Sequence, residues 1–378
     1  MILSCSGGQP PRPGNPPRWD VVDYATANAA LIHPNLSRSP IVSDPPAPLT
    51  SHLLNLDGEQ HRILRSAVVA ALDAGTPSII PLVRPAAAAL LARIDGDADV
   101  AGAFIRPLVL TLVDRLLGLT DGGGEELEWW HQSALAVDTQ FAPGAVDRIR
   151  ERVTRVCDSR RHTPRDDLIS RLVADDRVAP HQLDSTIFFA FSASYVNTVN
   201  FLGRSLLALA ANPDEFGWLR EHRGSMSSAV EELLRYAEPP SRASMRIAAT
   251  NVTIGETQVA PGTVINVYRA HANRDPARFS EPQRLNLQRR GPTSLAFGAG
   301  IHYCPGASLV RLVSDLTLLT FIEHVQALDT TDRTNLAWDF ADELTLAVTR
   351  RHPASRTAGP PESISRPSST HHRRSDHE

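Results

Sequence analysis

Lysine does not occur in this 378-residue sequence, and all 38 basic side chains are arginine. With the abundant alanine and proline, this points to a GC-rich bacterial coding sequence. Set against 42 acidic residues, the arginines leave a formal net charge of −4, so no global field draws the chain to nucleic acid. Cysteine is also scarce. Cys5, Cys157 and Cys304 lie far apart without CxxC or metal-ligand spacing, which excludes a disulfide framework and a structural zinc site. A reducing cytoplasm is the expected compartment. The first residues lack a basic leader and an apolar run long enough for a signal or anchor, so no membrane association is expected. Also missing are G-x-S-x-G, Walker and H-E-x-x-H patterns, a flavin fingerprint and an iron–sulfur cysteine set.

An apolar fraction of 42% is enough to bury a large core, and helix-like periodicity dominates. It is found in "EQHRILRSAVVAALDAG", "RPAAAALLARI", "FIRPLVLTLVDRLLGL", "DDLISRLVAD", "DSTIFFAFSASYVNTVNFLGRSLLALAAN" and "SSAVEELLRYA". One stretch, "ASMRIAATNVTIGETQVAPGTVINVYRA", has β-branched runs broken by Gly-Glu and Pro-Gly turns and predicts a small antiparallel sheet. With no Gly/Ser linker and no repeat, the fold class is mainly α with a minor antiparallel β part, as one large domain over residues 18–352. Residues 1–17 are expected to be a flexible segment, and the polar, proline-rich 353–378 a disordered tail.

The chemistry is concentrated in "FGAGIHYCPG", where Phe297, Gly300, His302, Cys304 and Gly306 satisfy F-x-x-G-x-[HR]-x-C-x-G just ahead of a predicted helix. Upstream, Glu232 and Arg235 in "VEELLRYAEPP" form an E-x-x-R pair, and "AHANRDPARFSEP" follows. On these residues the chain resembles the cytochrome P450 family of haem-thiolate monooxygenases, over roughly Trp19 to Arg351.

The resemblance implies the cytochrome P450 fold and heme b, with the Cys304 thiolate as axial iron ligand, pushing electron density onto the metal. It implies His61, Arg65, Arg246 and His302 as partners of the two propionates, Phe297 and Gly306 as further cofactor contacts, and Glu232 and Arg235 as a buried structural pair. It also places an A-G-x-[DE]-T sequence on the long distal helix. Here those positions read Ala193, Ser194, Tyr195, Val196 and Asn197, so the acid is valine and the alcohol is asparagine. Asn197, with Ser194 and Thr198 beside it, is the catalytic candidate. Thr198 should face elsewhere, because a helix turns about 100° per residue.

Two reactions stay open, hydroxylation with a substitute proton relay and a non-hydroxylating oxidation such as aryl or phenol coupling. A haem-free helper of a partner enzyme is a third reading, disfavoured by the retained Cys304 and His302. Phe189, Ala193, Tyr195, Arg242 and Leu344 are the substrate-pocket candidates, for a small-molecule or peptide substrate of secondary metabolism. Without electron-transfer motifs of its own, the chain needs a ferredoxin or flavodoxin-type donor, for which Arg62 and Arg311 are candidate contacts. A monomer is expected.

Overall fold

The structure, a computed structural model, describes residues 16–38, 49–120, 124–136, 144–239, 243–330, 338 and 342–351. The expected flexible and disordered ends and the pocket candidate Arg242 therefore lie outside the described residues, apart from residues 16 and 17.

The chain begins with strand β1 (Arg18–Val21) and helix α1 (Tyr24–Ile32), whose first turn is capped by the Asp23 carboxylate accepting from Thr26 N–H. After β2 (Leu36–Ser37) comes α2 (Gly58–Leu91). The sequence predicts two helices there, and the structure joins them in spite of Pro77, Pro81 and Pro85. Each proline removes one internal hydrogen bond. The helix is held by an uninterrupted buried face of Leu64, Ala67, Ala71, Gly75, Ile79, Val83, Ala87 and Leu91, at three- and four-residue spacing. It is long and apolar enough to cross a membrane by composition, yet here it packs against other core helices.

There follow β3 (Gly96–Asp99), a π-turn leading into α3 (Arg106–Leu117), α4 (Gly124–Ala136), α5 (Ala145–His162), α6 (Leu168–Val173) and the long α7 (Pro180–Ala211). From Leu202 to Ala210 every residue of α7 is buried, as befits a helix that runs through a core. At Gly203 a methyl group would collide with the Trp338 ring, so this crossing depends on the missing side chain. Then come α8 (Pro213–Glu221), α9 (Met226–Tyr236), strands β4 (Ser244–Ala248), β5 (Val252–Ile254), β6 (Thr257–Val259) and β7 (Val264–Val267), and the short α10 (Arg269–Ala272). The chain closes with α11 (Ala307–His324), β8 (Val325–Asp329) and β9 (Thr345–Arg350).

Helices dominate, as predicted, but the β part is more distributed than one inserted sheet. The strands form a four-stranded sheet in the order β1-β7-β4-β2, a three-stranded sheet β3-β9-β8 and a β5-β6 hairpin. β1 pairs parallel to β7, so the purely antiparallel expectation is corrected at that edge. A parallel neighbour has to come from a distant segment, which local turn signals cannot announce. A smaller apolar cluster, including Ala27, Leu31, Ile265 and Val267, packs α1 onto this sheet.

Candidate functional site

The cysteine loop is shaped by glycines. Gly298 and Gly300 have φ of 73° and 70°, in the left-handed region that favours glycine. A Cβ on Gly300 would also stand 3.0 Å from the Leu31 carbonyl oxygen, so the loop packs directly on the end of α1. Cys304 N–H donates to the Phe297 carbonyl at 3.0 Å, closing the loop ahead of α11. Arg311 lies over the Phe297 ring at 4.6 Å. Burial pushes the Cys304 thiol up, while a hydrogen bond from the Gly306 backbone and the guanidinium groups of Arg65, Arg269 and Arg311 favour the thiolate.

Beside this loop lies a cluster of cationic and imidazole side chains. The rings of His61 on α2 and His302 on the loop are 4.5 Å apart, and Arg65 lies one turn beyond His61. Arg246 on β4 is almost fully buried, and burial, followed by repulsion from Arg38, lowers its proton affinity. His61 Nε2, Arg65 Nη1 and His302 Nδ1 are buried without a hydrogen-bond partner. Asp57 is the local carboxylate. Its Oδ1 is 3.0 Å from His302 Nε2, and its Oδ2 accepts from Ser37 Oγ at 2.5 Å and Arg38 N–H at 2.9 Å. Among the described residues, Asp57 is thus the carboxylate shared by Arg38, Arg246, His61 and His302, while Arg65 stands by Cys304. Buried cations left in this state, with Arg65 Nη1 an unpartnered donor among them, call for additional anionic acceptors. A haem with two propionates supplies them, so the residues present fit the group.

The E-x-x-R pair is built differently. Arg235 Nε and Nη2 hold both Glu232 oxygens, at 2.7 and 2.8 Å. The remaining Arg235 donors reach the carbonyls of Asn273, Pro282 and Arg284. Glu232 also accepts from Asn286 N–H and Arg289 Nε. This network ties α9 to the segment that leads to the cysteine loop.

On α7 the partly accessible strip runs through Ala190, Ala193, Ser194, Asn197 and Phe201, in a helix that is otherwise largely buried. Four candidates need correction. Tyr195 is fully buried on the opposite side, with its hydroxyl 2.8 Å from His131 Nδ1, so it does not line the strip. Positions two apart on a helix differ by about 200°, which excludes Tyr195 from the face of Ala193 and Asn197. Thr198 is likewise buried, and the Ser194 hydroxyl is spent on the Ala190 carbonyl at 2.6 Å, so neither presents an alcohol to a ligand. Leu344 lies in the main core with its N–H bonded to Asp99 Oδ1, away from a pocket-lining role. Phe189 is half-buried and stacked on His52.

Sequence reasoning missed Asp57 and Arg38, and expected the loop of residues 41–55, which holds His52, over the pocket without singling out that residue. Asp57, at the start of the helix that carries His61 and Arg65, had the clearest signal. Of the arginines considered for donor docking, Arg62 is paired with Glu59, and Arg311 with Glu231 and the Tyr303 hydroxyl.

The Cytochrome P450 family model matches residues 218–335. Cytochrome P450 monooxygenase PikC of Streptomyces venezuelae is 30% identical, over 81% of this chain and 77% of that protein. The 6-deoxyerythronolide B hydroxylase of Saccharopolyspora erythraea is 29% identical, over 82% and 83%. Among solved structures, the Bacillus subtilis bacillaene polyketide synthase cytochrome P450 PksS superposes with a TM-score of 0.79 at 25% identity, covering 88% of this chain and 91% of that one. Given the cysteine loop, the unpartnered cationic cluster, the shared fold and a relative 30% identical over most of its length, the chain belongs to the cytochrome P450 family of haem-dependent monooxygenases.

Proposed function

We propose that Cys304 Sγ would ligate the haem iron, that His61, Arg65, Arg246 and His302 would hold the haem propionates, and that the enzyme hydroxylates a small oxygen-bearing organic substrate along the accessible strip of α7. The observation that carries this reading is the buried, unpartnered Arg65 Nη1, together with the unpartnered ring nitrogens of His61 and His302, beside the Cys304 loop. When bound, thiolate-ligated haem activates dioxygen, using two electrons from a separate ferredoxin or flavodoxin-type protein.

The remaining roles belong to this chain's own residues. The Gly306 backbone donates to the sulfur, while Pro305 has no N–H to add. Asn197 is the exposed polar residue at the centre of the α7 strip, and its side-chain amide can both donate to and accept from a water there. Val196, in the acid position, is buried and has no proton to offer. The accessible Asn197 favours hydroxylation with an amide-held water over a reaction that needs no proton delivery. The relatives PikC and 6-deoxyerythronolide B hydroxylase support a natural-product substrate, and a cytoplasmic location fits the chain.

The test is a carbon monoxide difference spectrum of the reduced protein, followed by mass analysis of reconstituted product. The wild type should give the thiolate-type Soret band and Cys304→Ser should lose it, with wild-type product gaining one oxygen atom. A wild type without that band removes the haem-thiolate reading, and a product that only loses two hydrogens removes hydroxylation. Asn197→Ala should increase peroxide release per electron consumed, and unchanged coupling would exclude Asn197 from proton delivery.

A further inference from the structure

Among the described residues, one more buried imidazole has an unpartnered nitrogen, and it lies outside the propionate cluster. His52 belongs to the segment that leads into α2 and is 8% exposed. Its ring lies flat on Phe189 of α7, with centroids 4.1 Å apart and planes within 3°, so stacking fixes its orientation. Asn55 Nδ2 stands 3.3 Å from His52 Nε2 and can only donate. In the neutral ring the proton therefore sits on Nδ1, which is buried and has no acceptor. A donor withdrawn from water in this way is rare in a folded protein unless something else completes it.

Its position indicates what that is. Phe189 is four and eight residues before Ala193 and Asn197, so His52 stands at the N-terminal end of the accessible strip, about 12 Å along the helix from Asn197. That span suits a small organic molecule held at one end and oxidised at the other. We infer that His52 is a specificity-determining residue whose Nδ1–H receives a carbonyl-type oxygen of the substrate and thereby fixes which end lies toward Asn197. Burial, followed by the Arg38 charge, keeps the ring neutral, so it acts as a neutral donor suited to ketone, lactone or amide oxygens. The inference rests on the haem-monooxygenase reading above.

The test uses the haem-loaded protein and a series of 1-substituted imidazoles carrying a ketone at increasing distance from the ring, each matched with its methylene counterpart. The free imidazole nitrogen binds iron, so affinity is read from the Soret shift. At one tether length the ketone should bind about tenfold more tightly than its counterpart, the worth of one buried neutral hydrogen bond. In His52→Phe, which keeps an aromatic ring against Phe189 but no donor, the preference should fall below about twofold. Phe189→Leu, which frees the ring, should reduce it as well. The inference is overturned if no ketone is preferred, or if the preference survives in either variant. It is also overturned if His52→Phe only accelerates haem loss and shifts the reduction potential, which would make His52 a propionate partner. A chain that gives no Soret shift with any imidazole overturns the haem reading itself, whereas normal shifts without ketone preference overturn this inference alone.

Discussion

The Glu232–Arg235 cluster and the cluster around His61, Arg65, Arg246 and His302 use the same kinds of side chain, yet only the first is closed. Around Glu232 and Arg235 both carboxylate oxygens and three guanidinium nitrogens have protein partners, and the pair is almost inaccessible. Around His302 the cationic and imidazole groups outnumber the carboxylate of Asp57 among the described residues, and buried nitrogens are left over. A closed buried network fixes the fold, whereas an open one is complementary to something outside the chain. The difference separates a structural role from a binding role without reference to any relative.

This contrast can be broken most forcefully at Arg235. Arg235→Ala would strip Glu232 of its two-point partner, leave Arg289 to offset a buried charge and orphan the carbonyls of Asn273, Pro282 and Arg284, so stability should drop by about 3–5 kcal/mol in chemical denaturation, with or without haem. A loss confined to the haem-loaded protein would contradict a structural role.

A smaller effect is expected at His52, which lies apart from both clusters but also has a buried nitrogen without a partner. Burial and Arg38 push its pKa down to about 4 from the ordinary 6.5, and among the described residues Asn55 and Phe189 lie against the ring. As pH falls below 6.5 the unfolded chain takes up a proton that the folded ring refuses. Stability is therefore lost as the pH drops from 6.5 to about 4. His52→Phe should flatten that part of the haem-free stability profile by up to about 3 kcal/mol, and an identical profile would show that the ring is not held neutral.

The smallest change in stability is expected at Arg246. Its described side-chain hydrogen bond goes to the neighbouring Met245 carbonyl, and Arg38 repels it. Arg246→Leu should leave the haem-free protein equally stable, or more stable by up to about 1 kcal/mol, while haem transfer to an acceptor protein becomes about tenfold faster. A large loss of haem-free stability would place Arg246 with the closed cluster instead.

The parts of this site legible in the sequence were those whose spacing is local. The F-x-x-G-x-H-x-C-x-G run and the three-residue step from Glu232 to Arg235 are short-range patterns, and a single loop or helical turn presents them. Asp57 and Arg38 meet His302 and Arg246 only because α1, α2 and the four-stranded sheet converge, which no short window contains. The distal helix was legible in register but not in face. Ala193 and Asn197 share one side, and that alone excludes Tyr195, whereas the turn of the Ser194 hydroxyl onto its own backbone depends on its rotamer. The fusion of two predicted helices into α2 was hidden by prolines that usually mark an end.

The Asp57–His302 contact also bears on how the two halves of the site respond to damage. It links the start of α2 to the cysteine loop across a sequence separation of 245 residues. The helix that carries His61 and Arg65 and the loop that carries Cys304 are thus coupled through one side-chain contact, so the effects of substitutions at Asp57 and at His302 should not add.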